Sequence, residues 1–353
     1  MTHKIKIAIN GFGRIGRAVH RIASKDTRLQ VIWINDLNPD EKNVCYMYNY
    51  DSIQGVSHGD DALQSISSNL LRMGAEGPTI GYSREAEIQA LDCAGIDVLV
   101  DASGISSQGA GLNELKQKYP KLKVLVTHIH PDAECYLVLG ANHDKHDISD
   151  MSVLSSSICD STALAPVLRA LDESYGVKQG HITTVHPWLN YQKLLDGPST
   201  SWANPGQIYH HYPLGRSAPD NLIPKPTTAV EATLKSLPGF GAKISSFSYR
   251  VPTSIVGSAN LVLQLNKSPS SKDELVETLM AFDAQHPWPL FAINNEPLIS
   301  RDFVNRRESA IIDERWIELI HSQVHLVLWY DNENGYACRV LDQVDYIWSG
   351  AKS

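Results

Sequence analysis

Residues 7–17 read Ile-Ala-Ile-Asn-Gly-Phe-Gly-Arg-Ile-Gly-Arg, and this stretch decides the fold of the first part of the chain. It contains the pattern G-x-G-x-x-G, with its glycines at Gly11, Gly13 and Gly16. The residues before the pattern alternate like a buried strand, and those after it have the apolar spacing of a helix. In such a turn the backbone can approach a pyrophosphate while the helix N-terminus faces its negative charge. The stretch therefore predicts a strand–turn–helix unit that binds a dinucleotide.

An acidic residue follows the next predicted strand at the spacing that a dinucleotide site requires. This strand covers 30–35 and is followed by Asp36, twenty residues after Gly16. A carboxylate at this place accepts hydrogen bonds from the ribose hydroxyls and repels a 2′-phosphate. We therefore predict NAD as the cofactor in preference to NADP, the alternative being that Asp36 only closes a turn.

Length, charge and cysteine content argue against several classes of protein. The chain has 353 residues, enough for about two domains, and its formal net charge of −8 is unsuited to nucleic acid or an anionic membrane surface. No apolar run approaches the roughly 18 residues that span a bilayer, and no signal segment is found, so we expect a soluble cytoplasmic protein. The five cysteines are odd in number and lack C-x-x-C spacing, which argues against disulfides and against a metal site.

The remaining pattern divides the chain near residue 157. Up to that point short strands alternate with helical or loop segments, which is doubly wound α/β order. Beyond it, longer alternating strands predict an α+β domain whose sheet is mainly antiparallel. The further strands predicted in the first part are 97–101, 123–127, 136–139 and 151–154. Those predicted in the second part are 181–186, 244–251, 258–265 and 324–329, with helices at 161–175, 272–285 and 335–348.

One cysteine stands where a helix is predicted to begin. Cys159 lies in Ser-Ser-Ser-Ile-Cys-Asp-Ser-Thr at 155–162, and an amphipathic helix follows. The partial positive charge of a helix N-terminus stabilises a thiolate and lowers the pKa of the thiol, which favours a nucleophile. The neighbouring Asp160 acts in the opposite direction unless it caps the helix and points elsewhere. A small buried cysteine without a chemical role is the alternative for this segment alone.

Motifs further along the chain resemble those of one enzyme family. Thr-Thr-Val-His stands at 183–186, Tyr-Arg-Val-Pro-Thr at 249–253 and Trp-Tyr-Asp-Asn-Glu-x-Gly-Tyr at 329–336. Together with 9–17 and Cys159, these motifs are similar to those of the glyceraldehyde-3-phosphate dehydrogenase family. The resemblance covers almost the whole chain. The other matching segments are 34–37, 50–52, 140–145, 163–166, 196–199 and 221–224.

The resemblance implies a domain organisation and a pair of reacting residues. It implies a Rossmann NAD-binding domain over 1–157, to which the C-terminal segment 331–353 returns, and a catalytic domain over 158–330. It also implies a homotetramer, with Cys159 as the nucleophile and His186 as the base. A thiolate would add to an aldehyde carbon, and the base would take the hydroxyl proton while hydride leaves to the nicotinamide. The product of that step is a thioester.

The same resemblance places a set of residues at the cofactor. Asn332 would orient the nicotinamide amide, and Asp36 would hold the adenosine ribose. Two members, Arg84 and Ser103, lie in loosely matching segments, so a plain surface or turn role is the alternative for both. The full set is Gly11, Gly13, Arg14, Ile15, Gly16, Asp36, Arg84, Ser103 and Asn332.

The chain departs from the family where that family binds phosphate. The family's nucleophile segment reads Ser-Cys-Thr-Thr-Asn, whereas Ile158 and Asp160 flank Cys159 in this chain. Glu231 replaces a lysine, and each such exchange near a bound anion costs about 1–4 kcal/mol. Arg250 could contact an anion or form a structural ion pair with Asp160. The residues expected to contact substrate or phosphate are Asp160, Tyr191, Arg216, Thr227 and Arg250.

These observations lead to one expected function and two alternatives. We expect NAD-dependent oxidation of a small phosphorylated aldehyde, glyceraldehyde 3-phosphate by default, with phosphate as the acyl acceptor. The first alternative is a hydrolytic dehydrogenase of another aldehyde, such as erythrose 4-phosphate. The second is a catalytically silent NAD-binding scaffold. Extra residues at 203–214, which include two histidines and two tyrosines, are expected at a subunit interface.

Overall fold

The computed structural model describes residues 4–201, 204, 206–226, 228–241 and 243–350. They form two compact units. The first takes its residues from Met1–Cys135, Asp147–Ser155 and Val340–Ser353, and the second from Tyr136–His146 and Ser156–Arg339. Within the described ranges, no helix is both long enough and apolar enough to cross a membrane.

The first unit begins with the predicted strand–turn–helix. Strand β1 (Ile5–Asn10) is buried over most of its length, and helix α1 (Arg14–Ala23) buries Val19 and Ala23 on one face. The following elements are β2 (Leu29–Asn35), α2 (Glu41–Asn49), β3 (Tyr50–Asp51), β4 (Gly55–Val56), β5 (Leu63–Ser67), β6 (Leu70–Met73) and β7 (Thr79–Ser83). They continue with β8 (Val98–Asp101), α3 (Gly109–Lys118), β9 (Lys123–Val126), β10 (Cys135–Tyr136) and β11 (Val153–Ser155).

The strands of this part form a doubly wound sheet. Among the described residues its strand order is β10-β11-β9-β8-β1-β2-β7-β6-β5. Strand β1 pairs in parallel with both β2 and β8, so the carboxyl ends of these three strands lie at one edge. Their last residues, Asn10, Asn35 and Asp101, are all buried there. The predicted α/β order of the first part is confirmed, and this edge is where such sheets bind ligands.

The second unit opens with the helix that carries Cys159. This helix, α4 (Cys159–Tyr175), is followed by the long strand β12 (Val177–Pro187). The next elements are β13 (Ile223–Lys225), α5 (Thr228–Ser236), β14 (Ile244–Val251), β15 (Gly257–Leu265), α6 (Lys272–Asp283) and β16 (Phe291–Asn294). The last are β17 (Ala310–Asp313), β18 (Glu318–Ile320), β19 (Gln323–Tyr330) and α7 (Asn334–Gly350).

The sheet of the second unit is mainly antiparallel, as the sequence predicts. Within the described part its order is β13-β14-β12-β15-β19-β17-β16, with β18 beside β19. Strand β12 pairs in parallel with β14 and antiparallel with β15. Leu164 and Leu168 of α4 share one buried apolar cluster with Leu261 of β15 and Leu326 of β19. Packing against this sheet fixes the position of α4 and therefore of its first residue.

Residues 136–146 differ from the sequence-based expectation in two ways. The predicted strand 136–139 is limited to β10, because the Asn142 side chain accepts the Val138 N–H at 2.8 Å and donates to the Tyr136 carbonyl. These bonds turn the chain. Val138 and Ala141 then pack against Ala165 of α4, so this segment groups with the second unit and not with the first.

Candidate active site

The glycine-rich turn has the shape that the sequence predicts. Gly11 has a φ of +87°, and a Cβ there would lie 2.7 Å from the Ser103 Cα. A Cβ on Gly16 would lie 2.0 Å from the Gly11 carbonyl oxygen, so both positions require glycine. A Cβ on Gly13 would meet no atom within 4 Å, and this glycine is exposed at the start of α1. The open side of the turn therefore fits the predicted approach of a phosphate group.

Asp36 lies beside this turn with its carboxylate fixed. One carboxylate oxygen accepts the Phe12 N–H at 2.7 Å, and the other accepts the Asn38 N–H at 2.9 Å. The carboxylate keeps further acceptor capacity, which suits hydrogen bonds from ribose hydroxyls. Arg14 and Ile15 are the first residues of α1, and both are half-buried.

Arg84 and Ser103, the two loosely matching residues, have partners within the first unit. The Arg84 guanidinium forms an ion pair with Glu41 at 2.8 Å and donates to the Asn38 carbonyl. It also stacks over the Tyr82 ring. The Ser103 N–H donates to Asp101 at 3.1 Å. The structure thus brings Arg84 to the loop that contains Asp36, and Ser103 to the turn at Gly11, while their contacts with the cofactor stay a prediction.

In the second unit, Cys159 and His186 lie side by side. The Cys159 Sγ is 3.6 Å from the His186 Nε2, and the imidazole is almost fully buried. The His186 Nδ1 is 2.8 Å from the Pro187 carbonyl oxygen. A carbonyl can only accept, so Nδ1 carries the proton and Nε2 presents a lone pair to the sulfur. The pair therefore has the geometry for proton transfer between the thiol and the imidazole.

The resting thiol differs from the expected thiolate. Burial raises the pKa of Cys159 well above its usual value, and the charge of Asp160 raises it further. The thiol donates a hydrogen bond to the Asp160 Oδ2 at 3.5 Å. Asp160 therefore points toward the sulfur, and its repulsion of a thiolate outweighs the helix N-terminus. The expectation of a lowered thiol pKa is wrong for this reason.

Asp160 itself is held as a carboxylate. It is 7% exposed, and its Oδ1 accepts the Tyr330 hydroxyl at 2.6 Å. Burial alone would raise the pKa of this carboxyl, but His186, the Tyr330 hydrogen bond and the Arg250 charge together lower it. Burial and the Arg250 charge lower the pKa of His186 to about 3. The imidazole is consequently neutral near pH 7, and the carboxylate is ionised.

Two cations complete this cluster, and only Arg250 is expected from the sequence. Arg250 lies on β14 directly opposite His186, and Lys225 lies on the neighbouring strand β13. Both are 7% exposed. Burial, followed by the Arg250 charge, lowers the pKa of Lys225 to about 8. In the sequence, Lys225 is one lysine in a short apolar segment. This local pattern does not reveal which strand the segment pairs with.

Of the other residues considered for contact with substrate or phosphate, those that the structure describes do not belong to this buried cluster. Arg216 is 65% exposed in its side chain and forms an ion pair with Asp196 at 2.7 Å, so it is not one of the buried cations. Tyr191 is half-buried in the loop after β12. Glu231 is exposed on α5 and thus does not repeat the arrangement of Asp160. Thr227 lies outside the described residues.

Asn332 and the insertion at 203–214 are placed within the second unit. The Asn332 carbonyl oxygen accepts the Val256 N–H at 2.9 Å, which supports the left-handed φ of +69° at Val256. In the insertion, the His211 Nε2 donates to the Pro224 carbonyl at 2.8 Å, and Tyr212 is 68% exposed. Residues 203 and 205 of the insertion lie outside the described residues, and its place at a subunit interface stays a prediction.

The cysteine, carboxylate and imidazole also have the spacing of metal ligands. Among the described residues, one ligand atom from each of Cys159, Asp160 and His186 lies within 4.8 Å of the other two. The positive charges of Lys225 and Arg250 act on the same groups and oppose a cation. The cluster is therefore better suited to an anion than to a metal ion.

In comparisons with known proteins, both parts of the chain match the same family. Residues 5–109 match the family model "Glyceraldehyde 3-phosphate dehydrogenase, NAD binding domain", and residues 158–332 match the C-terminal domain of that family. Glyceraldehyde-3-phosphate dehydrogenase of Priestia megaterium is 32% identical over 347 residues, which cover 97% of this chain and 98% of that protein. The cytosolic enzyme of Chlamydomonas reinhardtii is 33% identical over 344 residues, with 97% and 96% covered. Matches that extend over both units and nearly every residue leave one assignment: the chain belongs to the glyceraldehyde-3-phosphate dehydrogenase family.

Proposed function

We propose that this chain oxidises a small phosphorylated aldehyde with NAD, glyceraldehyde 3-phosphate being the first substrate to test. The observation that carries the proposal is the 3.6 Å separation of the Cys159 Sγ and the His186 Nε2. It is supported by the open glycine turn and the fixed carboxylate of Asp36 in the NAD-binding domain. Relatives that match this chain over nearly their whole length are named glyceraldehyde-3-phosphate dehydrogenase.

The two reacting side chains can perform the proton transfers that the oxidation needs. As the Cys159 sulfur adds to the aldehyde carbon, the thiol proton passes to the His186 Nε2 and from there to the new alkoxide. In the next step the same Nε2 accepts the hydroxyl proton of the thiohemiacetal. Bound NAD supplies the acceptor for the hydride that leaves the carbon. Cys159 is then a thioester, and the imidazolium beside it is stabilised by the Asp160 carboxylate.

The acyl acceptor depends on the charges next to the sulfur. The carboxylate of Asp160 would repel a phosphate ion at this position, but the buried Lys225 adds a cation beside it. We therefore keep phosphate as the proposed acceptor. Hydrolysis is the second candidate, because the ionised Asp160 lies 3.5 Å from the sulfur and could take a proton from an attacking water.

A panel of aldehydes tests the function and both acceptors. The purified protein is given glyceraldehyde 3-phosphate, erythrose 4-phosphate or glyceraldehyde, with NAD or NADP, in the presence and absence of inorganic phosphate. We expect NADH with the phosphorylated aldehydes, and turnover that requires phosphate. Equal turnover without phosphate would assign the hydrolytic reaction.

A burst of NADH separates an enzyme from a silent scaffold. The first turnover needs the aldehyde, NAD, Cys159 and His186 but no acyl acceptor, so it is expected even where the acyl acceptor is missing. The burst should be lost in Cys159→Ala and retained in Cys338→Ala, which removes a buried cysteine outside the cluster. The absence of any burst from the unaltered protein would contradict the proposed function. We also propose that the enzyme acts as a homotetramer in the cytoplasm.

A further inference from the structure

Lys225 and Arg250 lie on the same face of the sheet as the catalytic imidazole. The antiparallel register of β13 and β14 pairs Lys225 with Ser248 and Ile223 with Arg250. The parallel register of β14 and β12 pairs Arg250 with His186. Directly paired residues on neighbouring strands point to the same face. Strand pairing therefore places the two cations on the buried face of the sheet, the face on which His186 lies.

Within the described part of the chain, the two cations have no carboxylate partner that neutralises them. Among the residues that the structure describes, neither Lys225 nor Arg250 has a carboxylate within ion-pair distance, and the buried Arg250 Nε has no hydrogen-bond partner. Asp160 is the carboxylate whose charge acts on Lys225. Its two oxygens are directed to other groups, the Tyr330 hydroxyl and the Cys159 thiol. The guanidinium and the ammonium group are therefore buried without direct compensation.

The charges of the cluster do not balance. The thiol and the imidazole are neutral, Asp160 carries one negative charge, and Lys225 and Arg250 carry one positive charge each. The buried cluster thus has one unit of excess positive charge while Lys225 is protonated. Buried charges without a partner are strongly unfavourable, and a buried cation with a shifted pKa, such as Lys225, is typical of a ligand site. An anion bound between the two cations would remove the imbalance.

We propose that Lys225 is a further specificity-determining residue of the site beside Cys159: together with Arg250 it binds the phosphate group there, and it determines the preference for this anion. Lys225 offers three donors from a compact charge, and Arg250 offers a planar fork, two forms of phosphate contact that complement each other. The lysine also counters the carboxylate of Asp160, which otherwise would repel the anion. The phosphate group is that of the aldehyde or that of the inorganic acceptor, and this assignment rests on the proposed function.

Binding of inorganic phosphate tests the site without any turnover. Titration calorimetry on the full chain compares the unaltered protein with Lys225→Met and with Lys178→Met, which removes an exposed lysine at the far end of β12. We expect phosphate to bind at least about tenfold more weakly to the Lys225 variant, because a charge-assisted hydrogen bond is lost. The Lys178 variant should bind like the unaltered protein. Equal affinity in all three proteins would overturn the proposal.

A charge-conserving variant distinguishes loss of the positive charge from misfolding of the protein. Lys225→Arg keeps the positive charge, and it should retain most of the phosphate affinity that Lys225→Met loses. Circular dichroism and the urea unfolding midpoint are measured for both variants. If Lys225→Met does not fold, Lys225→Gln replaces it in the same comparison. Loss of affinity in Lys225→Arg as large as in the neutral variant would contradict a role of the charge.

Steady-state kinetics identify which phosphate group is bound. A role in binding the aldehyde predicts at least about a tenfold fall in kcat/KM for glyceraldehyde 3-phosphate in Lys225→Met, with no fall for glyceraldehyde. A role in binding the acceptor predicts a higher KM for inorganic phosphate with either aldehyde. Kinetics identical to those of Lys178→Met would overturn the proposal. If the unaltered protein oxidises neither aldehyde, the proposed function fails, while calorimetry still decides whether Lys225 binds phosphate.

Discussion

Asp160 determines the chemical state of the sulfur next to it. The family pattern has a neutral threonine at this position, whereas this chain has a carboxylate that accepts a hydrogen bond from the thiol. The Tyr330 hydroxyl holds the opposite carboxylate oxygen, so the side chain cannot turn away without losing that bond. The resting protein therefore keeps Cys159 protonated, and in the proposed mechanism proton removal is part of the attack on the aldehyde.

Replacing this carboxylate should make the thiol more acidic. In Asp160→Asn a negative charge disappears next to the sulfur, and we expect the rate of alkylation of Cys159 by iodoacetamide at pH 7 to rise about tenfold or more. Mass spectrometry of the modified peptide measures this rate. Asp196→Asn, which alters an exposed carboxylate, should leave it unchanged. A rate that is unaltered in Asp160→Asn would show that the charge of Asp160 does not control the thiol.

Some residues of the site are predictable from the sequence, and others are not. Cys159 and His186 belong to continuous motifs, so a local pattern is enough to identify them. Lys225 and Tyr330 reach the cluster through strand pairing and packing between distant segments, which a local pattern does not determine. The pKa of the thiol was predicted in the wrong direction for a related reason, since it depends on burial and on where the Asp160 side chain points.

At the scale of elements, three neighbouring strands and one helix build the cluster. Strands β13, β14 and β12 supply the two cations and the imidazole, and the start of α4 supplies the sulfur and the carboxylate. Just before α4 the chain passes through Ser157, whose φ of +61° is left-handed. Strain of this kind is commonly found at functional sites. The apolar cluster that α4 shares with the sheet holds this arrangement in place.

Strand β15 makes room for the tyrosine that holds Asp160. A Cβ on Gly257 would lie 2.5 Å from the Cζ of the Tyr330 ring. We therefore expect Gly257→Ala to displace the ring from Asp160 and to lower the free energy of unfolding by about 1–3 kcal/mol. Urea unfolding measures the loss. Asn260→Ala changes an exposed residue of the same strand and should have little effect. Equal stability of the two variants would contradict this account of Gly257.

Long, regularly patterned elements were predictable, and short ones were not. The predicted strand 244–251 coincides with β14, and the predicted helix 272–285 differs from α6 only at its end. The antiparallel strands β5 and β6 were missed, because they are short and carry several polar residues between tight turns. Their positions depend on pairing with β7, which no local period reveals.

At the scale of the whole molecule, buried neutral histidines should make stability depend on pH. Burial, followed by the charge of Arg21, lowers the pKa of His20 in the first unit to about 3, and His186 in the second unit has a similarly low pKa. Unfolding exposes each imidazole and returns its pKa to about 6.5, so the unfolded chain binds more protons as the pH falls. The stability gained by burying these imidazoles in the neutral form is fully present above about pH 6.5, and it is lost progressively as the pH falls toward 3.

Urea unfolding at pH 7 and pH 5 measures this effect. Each of the two histidines should contribute a loss of about 2 kcal/mol between these values. In His20→Leu the loss should be smaller by about that amount, because no imidazole remains to be protonated at this position. His210→Leu alters an exposed histidine and should retain the full loss. The same pH dependence in His20→Leu as in the unaltered protein would contradict the prediction.

The proposed assembly can be tested through the insertion. Light scattering after size exclusion should give four times the mass of one chain. Tyr212→Asp places a charge on an exposed aromatic residue of the insertion, and we expect it to increase the fraction of smaller species. Trp316→Asp, which alters another exposed aromatic residue outside the insertion, serves as the control. A single-chain mass for the unaltered protein would exclude the tetramer.

The protonated resting state of Cys159 affects how readily its sulfur reacts with oxidants. Hydrogen peroxide attacks the sulfur anion far more readily than the protonated sulfur, and the first product is a sulfenic acid. A sulfur that loses its proton only when a substrate arrives gives peroxide little to react with between turnovers. In the proposed mechanism, the hydrogen bond from the thiol to Asp160 would thus slow inactivation of the protein by oxidants.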